Sequence, residues 1–228
     1  PLKALLLILI SALMFHPASA GAKDKIQYIG SSTVGVFIRA ASEVYHAAEF
    51  DISTKPESRG GEIAAAHGMT DIGGVAREVD PEILGRGVEK FLIGKDAIGV
   101  WVNAENPVAN LASETLVGIF TGKITNWKDA GGPDMPINVY IVNPQSATRK
   151  VFRKKILGEE SYGGTRIKTI RPDPAILDRV AEDKGGIGQL SFALSVGHPS
   201  AEKVKRVSID GKPASVDNPD YPVTRPLH

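Results

Sequence analysis

The 228-residue sequence contains no cysteine, only two tryptophans and only five histidines. The missing thiol excludes disulfides, cysteine nucleophiles, cysteine-based metal centres and a lipidated-cysteine anchor, so stability has to come from the core. No histidine or carboxylate cluster has ligand spacing, which argues against a zinc or calcium centre and against any cofactor held by one. Charge of one sign is also lacking: 27 Lys and Arg face 26 Asp and Glu, and removal of the N-terminal Lys3 would make the balance exact in number. A neutral chain has no general affinity for nucleic acid or for an anionic membrane, so any attraction for anions must be local. Beyond residue 20 there is no apolar run long enough to span a bilayer, which takes about 20 residues.

The N-terminus does carry a short apolar run. Lys3 precedes residues 4–15, and Pro17-Ala18-Ser19-Ala20 follows before charge begins at Lys23 and Asp24. A cation, an apolar stretch of about a dozen residues and a small-residue exit have the form of a secretory signal peptide. Cleavage is expected after Ala20, leaving an exported chain with no membrane anchor. Together with the absence of cysteine, this suits the periplasm.

Past the leader, short apolar strands alternate with helical stretches. Strands are expected at residues 25–29, 50–53, 71–75, 97–103, 137–142, 166–170, 186–190 and 204–209. Residues 33–48 have apolar positions near helical spacing. Further helices are expected at 60–67, from Asp80-Pro81-Glu82 with proline at the first position, at 114–120 capped by Ser113, at 147–157 stopped by Gly158, and at 173–182. Strand–helix alternation predicts an α/β fold with mostly parallel sheets.

Four strand ends carry small, hydroxylic or glycine-rich segments: Gly30-Ser31-Ser32-Thr33, Ser58-Arg59-Gly60-Gly61, Gly73-Gly74-Val75-Ala76-Arg77 and Ser146-Ala147-Thr148-Arg149. Ligands of open α/β sheets bind beyond the carboxyl ends of the strands. A helix start there offers unpaired N–H groups and the positive end of the helix dipole, both suited to an anion. Serine and threonine add hydroxyl donors, and glycine admits a close backbone approach. Each segment alone reads as an N-cap or a tight turn, and each arginine alone as a solvated charge. Their recurrence at successive strand ends points to one oxyanion site. Hydrogen bonds to a charged group contribute about 1.5–3 kcal/mol each. About six would offset desolvation and leave micromolar binding, near −8 kcal/mol.

These segments resemble those of the PstS-type phosphate-binding proteins of ABC importers, and the resemblance runs from Lys25 to Leu227. It includes Phe120-Thr121-Gly122-Lys123-Ile124-Thr125-Asn126-Trp127, a string that marks the fold rather than the site, and Tyr221-Pro222-Val223-Thr224-Arg225-Pro226-Leu227 near the end. It implies a type II periplasmic-binding-protein fold, with two α/β lobes joined by a hinge. The crossings would lie near residues 94–100 and 186–190. After a signal peptide at 1–20, residues 21–95 and 189–228 would form a discontinuous first lobe and residues 96–188 the second. By position, Thr33 and Ser58 would supply hydroxyls, and Val34 and Gly60 backbone donors, with Ser32 and Arg59 beside them. Ser146, Ala147 and Thr148 would clamp the anion from the second lobe. The implied partners are phosphate or a similar oxyanion and the permease subunits of an ABC transporter, with the binding protein itself a monomer.

The family often has an arginine just before its Ser-Gly-Thr loop. Here Val142-Asn143-Pro144-Gln145 has none, Ala147 replaces the middle glycine, and Arg77 stands where some members carry aspartate. Arg77 or Arg149 is therefore expected to be the charge partner of the ligand. Three alternatives remain: an oxyanion sensor or scavenger without a permease, a binder of a sulfate- or molybdate-like anion, and a hydrolase using a loop serine. The last needs a base within hydrogen-bond reach. His46, His67, His198 and His228 lie in no site-like motif, and there is no Gly-x-Ser-x-Gly sequence.

Overall fold

In a computed structural model, which describes residues 24–228, three parallel strands open the fold. They are β1 (Asp24–Gly30), β2 (Ala48–Ser53) and β3 (Ile72–Gly74), in the order β2-β1-β3. The expected signal peptide lies outside the described residues. Helix α1 (Ser32–Val44) connects β1 to β2, and α2 (Glu57–Ala66) connects β2 to β3. Ser31 caps α1 by accepting the amides of Thr33 and Val34, and the helix buries Thr33, Val34 and Ile38. Helix α2 lies so close to the sheet that a Cβ on Gly61 would sit 2.7 Å from the Ile29 carbonyl and 2.8 Å from Gly30 Cα. Only glycine admits that approach, and it brings the start of α2 against the end of β1. A short helix, α3 (Pro81–Leu84), follows with Asp80 as its cap.

A larger sheet follows. It contains β4 (Gly94–Asn103), β6 (Asn138–Val142), β7 (Ile167–Ile170), β8 (Gly186–Ser191), β9 (Val204–Arg206) and β11 (Thr224–Leu227). The order is β11-β4-β8-β6-β7, with β9 also pairing β4. β6 is parallel to β7 and β8, whereas β4 runs antiparallel to β8, β9 and β11. Two small strands, β5 (Asn110–Leu111) and β10 (Ser208–Ile209), pair beside it. Helices α4 (Ser113–Phe120), α5 (Ala147–Phe152) and α6 (Ile176–Ala181) cover the sheet. The Phe120–Trp127 string closes α4: Trp127 is fully buried and donates its indole N–H to the Gly185 carbonyl at 3.0 Å.

The two sheets meet through the last strand. His228 and Val75 exchange two backbone hydrogen bonds of 2.8 Å, while Ile93 donates to Leu227. The first part of β4 thus pairs with β11 near the small sheet, and its later part pairs with β8 and β9 in the large one. One strand serves both lobes.

Several boundaries differ from those expected. Helix α1 stops at Val44, with Tyr45 already extended, because its 45–47 continuation offers no further buried face. Helix α2 begins at Glu57 rather than Gly60, which places Ser58 in its first turn. The 147–157 helix changes from α to π geometry at Arg153–Leu157, and the 173–182 segment opens as a 3₁₀ turn. Residues 204–209, expected in the first lobe, pair through β9 with β4 and through β10 with β5. Val204, Val207 and Ile209 accordingly pack in the large core with Leu116, Phe120 and Trp127.

Candidate functional site

The site lies where α1, α2, the loop after β3, α5 and β11 converge. Val34, Ala76 and Ala147 pack with Tyr28 and Ile38 in one small buried cluster, although Ala147 opens α5, a helix of the larger sheet. Three of the four loops picked out from the sequence are therefore in contact around it. Ser58 is the fourth contributor: it is 1% exposed, and its Oγ accepts the Ala76 amide at 3.1 Å. Ser146 and Thr148, both buried, flank Ala147. At the start of α1, the Tyr28 hydroxyl donates to the Ser31 carbonyl at 2.6 Å and fixes the loop.

The expected donors are not equally placed. Ser31 Oγ already holds the amides of Thr33 (3.1 Å) and Val34 (3.4 Å), and the Gly60 amide bonds within its own helix to Pro56. Arg77 donates through Nη1 (2.7 Å) and Nη2 (2.5 Å) to the two carboxylate oxygens of Glu62, whose side chain is fully buried. Arg59 contacts Glu62 and Asp80. Arg149 donates to the Val142 carbonyl at 3.2 Å and lies 4.9 Å over the Tyr162 ring. Arg59 and Arg77 face Lys150, whose pKa is lowered by burial and then by these two guanidinium groups. With Glu62 and Asp80 they form a cluster of mixed charge beside the site.

The cation inside it is Arg225, on β11. It is 3% exposed and stands directly across from Asp96 on β4 in the antiparallel register. Its Nε and Nη2 reach Asp96 Oδ2 at 2.9 and 2.8 Å, and Nη2 also donates to Thr33 Oγ1 at 2.9 Å. Ser191 on β8 steadies Asp96 with a 2.8 Å hydrogen bond. Three strands thus hold the guanidinium at the N-terminus of α1. Its Nη1 is buried and has no partner. Buried polar groups are nearly always paired, so this cationic N–H calls for a partner that the protein itself does not supply.

Two carboxyl groups complete the interior. Glu57 is 7% exposed, has a positive φ of 55° and accepts the Ser32 amide at 3.2 Å. Burial, reinforced by the charge of Asp173, pushes its pKa up to about 7, with the Ser32 hydrogen bonds and Arg225 opposing. Asp173, in the 3₁₀ turn before α6, is 3% exposed and accepts the Asn143 side chain at 2.9 Å, while its Oδ2 has no partner. Burial raises its pKa as well, with the neighbouring Ser146 and the Asn143 hydrogen bond opposing.

Sequence reading did not find Arg225, Glu57 or Asp173 as site residues. Arg225 sits in the Tyr221–Leu227 string, which carried the family resemblance without any local loop signature. Glu57 and Asp173 look like ordinary first-turn acids of helices. No histidine ring among the described residues bonds a serine hydroxyl: His67 bonds the Ile63 carbonyl and His228 the Phe91 carbonyl. Among the described residues, no three His, Cys, Asp or Glu side chains form a metal-holding group.

A sequence profile of the PBP superfamily domain matches residues 16–228. The chain belongs to the PBP superfamily. The phosphate-binding protein PstS of Bacillus subtilis is 27% identical over 248 aligned positions, covering 97% of this chain and 80% of that protein. PstS 2 of Streptococcus agalactiae is 36% identical over 108 residues, which are 46% of this chain and 37% of that one. The chain thus spans well under two thirds of that relative in the matched region. Among solved structures, a Clostridium perfringens protein named as a phosphate ABC transporter substrate-binding protein, with bound phosphate, superposes with a TM-score of 0.77. It is 29% identical, with 90% of this chain and 84% of that one covered. A Vibrio cholerae phosphate transport receptor, at 24% identity and a TM-score of 0.70, shares the fold over 90% of this chain and 85% of its own.

Proposed function

We propose that this PBP superfamily chain binds phosphate, or a closely similar tetrahedral oxyanion, between its two lobes and delivers it to the permease of an ABC importer. The observation that carries the reading is the buried, unpartnered Nη1 of Arg225 at the start of α1. An anion there gains one fixed cation and the α1 dipole, worth about half a positive charge. The Thr33 hydroxyl meets the same guanidinium, and the hydroxyls of Ser58, Ser146 and Thr148 are likewise buried, beside Ala76 and Ala147 of the small cluster. Arg225 takes the role of charge partner that the sequence suggested for Arg77 or Arg149, because those two are committed to Glu62 and to Val142 with Tyr162. The names of the Bacillus, Streptococcus and Clostridium relatives support this reading.

In the same reading the chain acts by binding and release rather than by catalysis, as an exported monomer in the periplasm that needs no cofactor. No helix among the described residues is long and apolar enough to cross a membrane. The first lobe comprises residues 24–97 and 224–228, and the second is built on residues 98–191 with 204–209. The small sheet and the pairings of β4, β9, β10 and β11 support that division. The hinge lies in β4 and in the run between β8 and β11.

Calorimetric titration of the mature protein with phosphate, sulfate and molybdate tests the proposal. Phosphate is expected to bind at micromolar concentration and to outcompete the other two. Absence of binding to all three would end this reading.

A further inference from the structure

A second concentration of charge lies outside the interlobe site. On α5 and the π turn that follows it, Arg149, Lys150, Arg153 and Lys154 line a pocket of about 520 Å³, with Glu159 as the one acid in the lining and Tyr162 at its wall. The volume is that of a small-ligand site, but such sites are ordinarily apolar and this one is basic. Among the described residues, none of the four cations is in an ion pair. The whole chain has 27 cations against 26 acids, so the excess in this pocket is local to it.

The arrangement works against the helix that carries it. Arg149 and Arg153 stand four residues apart, joined by the bond from the Arg153 amide to the Arg149 carbonyl, and Lys150 and Lys154 have the same spacing. Like charges at that spacing destabilise a helix. Cations near the end of a helix offset its dipole, which accounts for Lys154. Arg149 and Lys150 lie in the first turn after Ser146, where that gain is absent. Both are also partly stripped of water. Burial lowers the pKa of each, and the Arg77 and Arg59 guanidinium groups lower that of Lys150 further, with Glu62 opposing. The two pocket arginines are held by neutral groups. Arg149 donates to the Val142 carbonyl and stacks over Tyr162, while Arg153 donates through Nε to the Glu160 carbonyl at 3.0 Å and through Nη2 to the Glu159 carbonyl at 3.3 Å. Carbonyls orient a guanidinium without neutralising it. The π geometry at Arg153–Leu157 is itself of a kind that is frequent at functional sites.

We infer that this pocket is a second anion site, separate from the interlobe site, and that it takes a compact soluble polyanion of two or three linked phosphoryl groups. Side chains three or four residues apart on a helix stand about 5–6 Å from one another. A single oxyanion therefore cannot meet all four cations, whereas successive phosphoryl groups can. The fork of an arginine matches a pair of phosphoryl oxygens. An anionic lipid surface offers the same groups but fits less well, because the lining is concave and Glu159 and Glu160 beside it would face that surface with like charge. Lys150 links the pocket to the interlobe site, and a polyanion bound here relieves the repulsion that Arg77 and Arg59 impose on this lysine. The pocket keeps this chemistry whether or not the interlobe site takes phosphate, and no bond is formed or broken.

Calorimetric titration of the mature protein with sodium triphosphate, with and without saturating orthophosphate, tests the site. One-to-one binding at micromolar concentration is expected in both, because filling the interlobe site leaves the pocket open. Lys150 and Lys154 are exposed, so their replacement should leave the fold intact, as circular dichroism checks. Lys154→Gln should weaken triphosphate binding and leave orthophosphate affinity unchanged. The double variant Lys150→Gln/Lys154→Gln should lose triphosphate affinity by about tenfold or more, the worth of a charged hydrogen bond. Citrate, with comparable charge on carboxylates, is expected to bind more weakly than triphosphate, and equal affinity overturns the assignment to phosphoryl groups. Triphosphate that fails to bind, that binds only by displacing orthophosphate, or that binds the folded double variant as tightly as the wild type overturns the site. Cosedimentation with phosphatidylglycerol vesicles in the absence of triphosphate binding overturns it in favour of a membrane surface. A wild-type protein that binds no orthophosphate ends the phosphate reading alone, and the titration without orthophosphate then decides this site with the same variants.

Discussion

Replacing Arg225 with methionine separates what this residue does for the fold from what it does for the ligand. The substitution keeps much of the buried volume but leaves Asp96, which is 3% exposed, without its cation. Ser191 Oγ at 2.8 Å and the Ala193 amide at 3.3 Å would remain, two hydrogen bonds in place of an ion pair. Breaking a buried pair by removing one partner costs about 3–5 kcal/mol. Against a domain stability of about 5–15 kcal/mol, that is a large fraction. Urea unfolding followed by the fluorescence of the buried Trp101 and Trp127, with circular dichroism in parallel, measures it. Adding Asp96→Asn removes the stranded charge, so the double variant is expected to recover most of the lost stability. Phosphate binding is expected not to recover. The Nη1 donor is gone in both variants, and a hydrogen bond to a charged group is worth about 1.5–3 kcal/mol, or about ten- to a hundredfold in affinity. The reasoning is refuted if Arg225→Met costs less than about 1 kcal/mol, or if the refolded double variant binds phosphate as the wild type does.

Three further outcomes follow from the same geometry. Glu57 has a folded-state pKa of about 7 against an ordinary value of 4.5, so the folded protein holds its proton more tightly. Its contribution to stability is complete below the unfolded value and is lost as pH rises to about 7; Glu57→Gln should therefore gain on the wild type across that window, by roughly 3 kcal/mol, in unfolding measured without ligand. Arg77→Ala leaves the fully buried Glu62 side chain with the Asp80 amide at 3.0 Å and, as its remaining cation, the more distant Arg59 at 3.7 Å, and should lower the denaturation midpoint while changing phosphate affinity by less than about threefold. Loss of affinity matching that of Arg225→Met would instead make Arg77 the charge partner. Gly74→Ala places a Cβ onto the Tyr28 hydroxyl, which holds the Ser31 carbonyl. Overpacking of this kind costs about 1–3 kcal/mol, and the displaced loop should weaken phosphate binding in the same titration.

Legibility in the sequence divides along the range of the interactions concerned. The alternation of strands and helices, the Ser31–Thr33 helix start and the Ser146–Thr148 loop could be read directly, because periodicity and capping are set by residues within a turn or two of one another. Helix α2 was placed late because its first turn holds only Glu57, Ser58 and Arg59, none of them apolar, and its seating depends on Gly61 meeting the backbone of β1. The π turn at Arg153–Leu157 and the partition of residues 204–209 likewise follow from packing against distant elements.

The absence of a charge excess, together with the hydroxyls at helix starts, led from sequence alone to the expectation of a local anion site at strand ends, with Arg77 or Arg149 as its charge partner. Only the tertiary structure decided which charges attend that site. Arg225 meets Thr33 across 192 positions of sequence, and Asp96 across 129. Arg77 and Arg149, which sit in the loops themselves, are drawn away by nearer partners. A side chain's charge is visible in sequence. Its value in a site depends on burial and on who neutralises it, and both are properties of the folded chain.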